Sequence, residues 1–174
     1  HDKNSCASSL YFTAPTDVAE ATVFHIIAGT GSLTIDDAYL GLTDDGTTVP
    51  TTPTTPTTPT TPTTGTNVVA NPSFETANGS APASWSTSDW GNHKATFAYE
   101  TTGRTDSRSV SMNIASYADG VSMWTPAAAS VTGGKLYQIS DYYKSNIDTE
   151  VDMMVTMKDG TNAYYYLGTA TAST

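Results

Sequence analysis

Basic side chains are scarce in this sequence. Seven Lys and Arg stand against 17 Asp and Glu in 174 residues, a formal net charge of −10. Phosphate binding needs clustered Lys and Arg, so the balance argues against nucleic acid and against anionic membrane surfaces. Cys6 is the single cysteine. It excludes a disulfide within one copy and reads as a free, partly buried thiol. No apolar run approaches the ~18 residues of a membrane span. The polar start His1-Asp2-Lys3-Asn4-Ser5 is not a signal peptide, so any secretion signal is expected to have been removed or to lie upstream. Helical spacing is sustained nowhere. The acidity itself reads as what keeps a secreted protein soluble.

What the chain does have is a tract of period three. Prolines recur at Pro50, Pro53, Pro56, Pro59 and Pro62, separated by Thr-Thr pairs. Polyproline II also has three residues per turn, so the prolines fall on one edge and the threonines on the other two. With no apolar side chains to build a core, the tract is a spacer. From Pro50 to Thr66 it would reach roughly 50 Å at ~3.1 Å per residue. Dense Thr beside Pro is also the composition of O-glycosylated stalks. The expected acceptors are Thr51, Thr52, Thr54, Thr55, Thr57, Thr58, Thr60, Thr61, Thr63 and Thr64.

The tract divides the chain into three: residues 1–46, a linker at 47–66, and residues 67–174. Both flanking pieces read as all-β. The first has strands at 9–13, 21–27 and 32–40, punctuated by Ala14-Pro15-Thr16-Asp17 and Gly29-Thr30-Gly31. Leu33, Ile35 and, after the Asp pair, Tyr39 predict one buried face. The second has expected strands at 68–69 with 74–75, then 96–99, 109–114, 121–125, 136–144, 150–157 and 163–167. Short strands at regular intervals indicate a sandwich or barrel. Trp85 and Trp124 read as core.

Asn67-Val68-Val69-Ala70-Asn71-Pro72-Ser73-Phe74-Glu75, followed by Trp85, resembles the opening of the jelly-roll carbohydrate-binding modules of cellulases and xylanases (families 4, 9, 16 and 22). Ser84 stands where those modules have Gly before the Trp. Gly134-Lys135 and Leu136-Tyr137-Gln138-Ile139-Ser140 resemble a later turn and strand. The first piece resembles the end of the same module, through Phe12-Thr13-Ala14-Pro15 and Leu33-Thr34-Ile35-Asp36-Asp37-Ala38-Tyr39-Leu40. The order is therefore reversed: the module's C-terminal part precedes its N-terminal part. Three closures are open. The chain is a slice of a tandem array, one circularly permuted module, or a subunit whose first piece completes a neighbour's last piece. Unpaired strand edges and half a core favour the third, a head-to-tail filament.

The resemblance also implies sites. Glu75 and Asp36, with Asp37 as a weaker candidate, would hold a structural calcium ion between the first and last strands, since carboxylate oxygens suit a hard cation. Trp90, Tyr117, Tyr142, Tyr164 and Tyr166 are candidate platforms for polysaccharide, because pyranose rings stack on aromatic faces. Alternation puts Tyr164 and Tyr166 on one face and Tyr165 on the other, and separates Tyr142 from Tyr143. Asn78-Gly79-Ser80 is an N-glycosylation sequon at Asn78.

Catalysis is not expected. No Gly-x-Ser-x-Gly turn occurs. His1 and His93 lack metal-ligand spacing, and His25, between Phe24 and Ile26, reads as a strand residue with a satisfied ring. A glycosidase carboxylate pair stays open, but acids are sparse in the long middle segment. The expectation is a secreted structural subunit of an extracellular fibre, a homo-oligomer carrying covalent glycans and spaced by the Thr-Pro linker. The alternative is a polysaccharide-binding module of a secreted enzyme.

Overall fold

The structure, a computed structural model, describes residues 6–43 and 65–173. The Thr-Pro tract and its expected glycan acceptors lie outside the described residues, as does the thiol of Cys6.

The chain is all-β. Its strands are β1 (Cys6–Thr13), β2 (Val18–Ile27), β3 (Gly31–Leu42), β4 (Ala77–Asn78), β5 (Ala81–Pro82), β6 (Trp85–Trp90), β7 (His93–Glu100), β8 (Ser109–Tyr117), β9 (Val121–Pro126), β10 (Ala129–Ser130), β11 (Leu136–Ser145), β12 (Thr149–Met157) and β13 (Asn162–Ala170). One sheet runs β1-β11-β3-β8-β7 and the other β13-β12-β2-β9-β6, with β10 beside β2. All pairings are antiparallel.

The two sheets form a β-sandwich-like pair. Leu40, Tyr137 and Ile139 of the first pack with Ala21, Val151, Met153 and Val155 of the second. Leu33, Ile35, Val110 and Met112 of the first pack with Ile27 and Trp124 of the second. Alternating apolar residues on each strand supply this shared layer, as period-two patterning requires.

Within the described residues, the segment before the tract is not a satellite. Its β3 lies between β11 and β8, and its β2 between β12 and β9. Its β1 pairs with β11 over eight residues, from Cys6 opposite Tyr143 to Thr13 opposite Leu136. Residues 65–173 alone would therefore lack an inner strand in each sheet. Residues 6–43 alone would be three strands that do not pair with one another.

Three local expectations are corrected. Residues 67–76 are not strands. Asn71 and Phe74 take positive φ of 51° and 61°, which breaks an extended run. The segment still bonds to β3: Val68 N–H donates to Leu40 O at 2.8 Å and Ala38 N–H to Pro72 O at 2.9 Å. The Asn67 side chain also accepts from Leu40 N–H at 3.1 Å and donates to Ala38 O at 2.9 Å. The buried face of β3 changes parity. Leu33, Ile35 and Leu40 are buried, whereas Tyr39 is only half-buried. An irregularity opposite Ser140 and Tyr142 in β11 and the positive φ of Asp37, 50°, insert the extra residue, as a β-bulge does. Finally, β6 was not expected, because Trp85-Ser86-Thr87-Ser88-Asp89-Trp90 carries no apolar alternation. It forms by pairing along β9.

The chain leaves β3 and re-enters at Gly65 in the same place. Tyr39 hydroxyl donates to Gly65 O at 2.9 Å. A side-chain carbon at Gly65 would lie 2.5 Å from Leu42 backbone N and O, so only glycine fits there.

Candidate functional site

The Asp36-Asp37 bulge brings two carboxylates to the outer side of β3, where residues 101–108 fold over them. Asp36 is buried. Its Oδ1 accepts from Asp37 N–H at 2.7 Å and its Oδ2 from Arg104 N–H at 2.6 Å. Asp37 accepts from Arg104 Nη1 at 2.9 Å and from the Thr105 hydroxyl at 3.2 Å. Glu75 Oε1 accepts from Ser107 N–H at 3.0 Å and Arg108 N–H at 2.7 Å, and its Oε2 from the Ser107 hydroxyl at 2.8 Å. The three acids predicted from sequence thus meet one loop, which holds them by backbone N–H groups and one guanidinium.

Burial pushes the Asp36 carboxyl up to about 6, against the opposing Arg104 N–H bond, and the charges of Asp37 and Glu75 add to the rise. Desolvation and like charge both disfavour the anion. Among the described residues no group of three or more His, Cys, Asp or Glu converges as metal ligands. The chemistry suits a hard cation at Asp36 and Glu75, whose negative charges oppose one another and whose oxygens keep unused lone pairs. Asp37 is held instead by Arg104 and Thr105.

Tyr142 faces this loop. The Arg104 guanidinium sits 3.4 Å from the centre of its ring, a cation–π contact that occupies the face a sugar would need. Between the loop and the sheet lies a cleft of about 610 Å³, lined by Thr34, Asp36, Thr102, Arg104, Tyr142 and Lys144 among others. Sequence reasoning missed Arg104 because its partner Asp37 lies 67 residues away.

The other candidate platforms lie elsewhere. Tyr164 and Tyr166 are 69% and 62% exposed on β13, while Tyr165 packs into the core, as alternation predicts. In register, Tyr166 stands opposite Asp152 and Tyr164 opposite Met154. Asp152 in turn stands opposite Phe24. Val23 and Ile27 point into the sandwich, so Phe24 and Ile26 point out. There they form a separate cluster with Met123, Val121 and Met154.

Two polar atoms of this outer face, Asp152 Oδ1 and Thr125 Oγ1, are buried without a hydrogen-bond partner among the described residues. Burial raises the Asp152 carboxyl above its ordinary range, with the charge of Glu150 adding to the shift. Trp90 is 63% exposed on the same sheet, opposite Val121. Tyr117 lies on the other sheet, its hydroxyl donating to Gly120 O at 3.0 Å. Asn78 is exposed at the end of β4, next to the Gly79-Ser80 turn into β5.

His25 lies inside the sandwich with both ring nitrogens bonded, Nδ1 to Asp141 at 2.6 Å and Nε2 to Thr149 at 2.7 Å.

The Asp36 shift has a testable sign. Its folded value near 6 lies above the ordinary 3.8, so the group favours the folded state below pH ~4 and that contribution is lost as pH rises through about 6. In EDTA, thermal unfolding of the wild type should lose stability between pH 4 and 7 relative to Asp36→Asn. Parallel profiles would remove Asp36 as the source. No family model, curated protein or solved structure matches the chain.

Proposed function

We propose that the chain is a structural subunit of an extracellular fibre, in which residues 6–43 of one copy complete the jelly roll formed by residues 65–173 of the next. The interleaving of the two segments supports this reading. Each supplies what the other lacks, and identical contacts form whether donor and acceptor share a chain or not. The observation that carries it is the meeting of the tract's two ends beside Leu42 and Gly65.

A straight polyproline II run from Pro50 to Pro62 is roughly 37 Å long. Thr43 is anchored, its N–H donating to Leu136 O at 3.1 Å. The stretches from Thr43 to Pro50 and from Pro62 to Gly65 together reach at most roughly 33–36 Å when fully extended. The two lengths are nearly equal, so a tract that holds the form its period predicts closes on one module only with its flanks almost fully extended, whereas it joins two modules without that constraint. A contact between different surfaces that does not close on itself grows into a filament. Glycans on the threonines would stiffen the spacer, and the acidic, Thr-Pro-rich composition suits a secreted stalk.

Sedimentation velocity and negative-stain microscopy of the full chain test this. The wild type should form fibres, with size rising with concentration. Replacing residues 50–62 by Gly-Ser of equal length should yield closed monomers, because a flexible linker spans the short gap at small entropic cost. A wild type that stays monomeric at all concentrations would refute the proposal.

Asp36 and Glu75 would hold calcium in this subunit, and the ion would neutralise their mutual repulsion where β3 of the donor meets residues 67–76 of the acceptor. Adding calcium to chelated protein should then raise the unfolding midpoint, in proportion to ln(1 + [Ca²⁺]/Kd), and Asp36→Asn should abolish the rise. An equal rise in both proteins would place any binding elsewhere.

A second reading is carried by the outer face of the β13-β12-β2-β9-β6 sheet. Tyr164 and Tyr166 offer exposed stacking surfaces on one face of β13, which support saccharide binding. In depletion assays with insoluble cellulose and xylan, Tyr164→Ala/Tyr166→Ala should weaken retention about tenfold or more, since each stacking contact contributes roughly 0.5–1.5 kcal/mol. Retention unchanged in the double variant would end this reading.

A further inference from the structure

Inside the sandwich, a chain of buried polar side chains crosses the junction between residues 6–43 and 65–173. Asp141 on β11 is the centre. Its Oδ1 accepts from the Ser8 hydroxyl of β1 at 2.5 Å, and its backbone N–H donates back to Ser8 Oγ at 3.2 Å. Its Oδ2 accepts from Nδ1 of His25, on β2, at 2.6 Å. His25 Nε2 meets the Thr149 hydroxyl of β12 at 2.7 Å, and Thr149 Oγ1 also lies 3.4 Å from Ala170 O. The His25 ring packs edge-on against Tyr143, centroids 5.0 Å apart. His25, Asp141 and Thr149 are all buried.

Four strands from both sheets therefore contribute, two from each segment. Ser8 bonds to Asp141 and not to His25, so the order is not that of a nucleophile activated by a base.

We propose that this Ser8–Asp141–His25–Thr149 chain is the selectivity contact of the junction: it admits the 6–43 segment of a copy of this chain, in one register, and rejects other strands. The physical ground is asymmetric. Shared apolar packing tolerates many strands of about the right shape, but a buried carboxylate left without its donors costs far more than the bonds return when made. A one-residue slip of β2 turns His25 to the outer face. A two-residue slip puts Val23 or Ile27 of the same face where His25 stood, strands Asp141 Oδ2 without its partner and leaves Thr149 only its long contact to Ala170 O. Every alternative register is thus penalised at the same two residues. The selectivity holds whether the junction closes within one chain or between chains; its use for assembly rests on the fibre reading.

Reciprocal variants of the full chain test both. His25→Leu and Asp141→Leu should each lower the unfolding midpoint by about 4–10 °C, because each strands buried polar partners. The double variant should fall no further than the worse single one, since it removes both partners together. Should a leucine variant fail to fold, His25→Gln and Asp141→Asn give the same cycle more mildly. Additive losses across the cycle would overturn the proposal.

The two single variants are then unfolded, mixed and refolded together. Between chains, mixing adds His25–Asp141 and Leu–Leu junctions to the two mismatched kinds, and alternation of the variants along a filament makes only the matched kinds, so assembly and stability recover. Coupling without recovery on mixing would keep the selectivity contact but place it within one chain, which would count against the fibre and not against the contact.

Discussion

An inner strand of a sheet must satisfy backbone hydrogen bonds on both of its edges. In this protein the inner strands β2 and β3 come from one side of a linker and their neighbours from the other. Burying β11, β8, β12 and β9 without them would leave rows of N–H and C=O groups unpaired and half a core open. Everything else in the molecule follows from that dependence. The apolar layer is assembled from both segments, and the buried polar chain at His25 spans them. The carboxylate cluster forms only where β3 runs beside residues 67–76.

The cluster at Asp36 shows how local backbone geometry and electrostatics are joined. The extra residue at Asp37 brings both carboxylates to Arg104, Asp36 to its backbone N–H and Asp37 to its guanidinium. Arg104 then serves two partners, pairing with Asp37 and capping the Tyr142 ring. Glu75, displaced from any regular strand by the turn at Phe74, reaches the same loop from the opposite side. The loop is held almost wholly by acceptors that precede it in the chain by tens of residues.

Much of the strand pattern was legible in the sequence because β-branched and aromatic residues alternate along it. The opposite faces of Tyr164 and Tyr165, and of Tyr142 and Tyr143, follow from period two alone. The parity change at Tyr39 was not legible, since a bulge depends on the partner strand. Residues 67–76 looked extended from Val68, Val69 and Phe74, yet two left-handed residues fold them into a turn whose hydrogen bonds are made by Asn67 and Asn71 side chains. Strand β6 was hidden because its side chains are mostly polar and its order comes from β9. Asp141 lay unnoticed within a strand. A single acid among apolar strand neighbours, together with a lone histidine in another strand, was the available signal.

The shared exit point of the tract has a mechanical consequence. In a fibre of the kind proposed, tension along the filament pulls Thr43 of the donor away from Gly65 of the acceptor, and these two points sit side by side at one end of β3. Force applied there peels β3 from β11 and β8 one hydrogen-bonded pair at a time, starting at Leu42. It does not shear the whole ladder at once. The joint would therefore open progressively under load and re-form from the same end, a filament that yields by unzipping at its modules and not by rupture of its spacers.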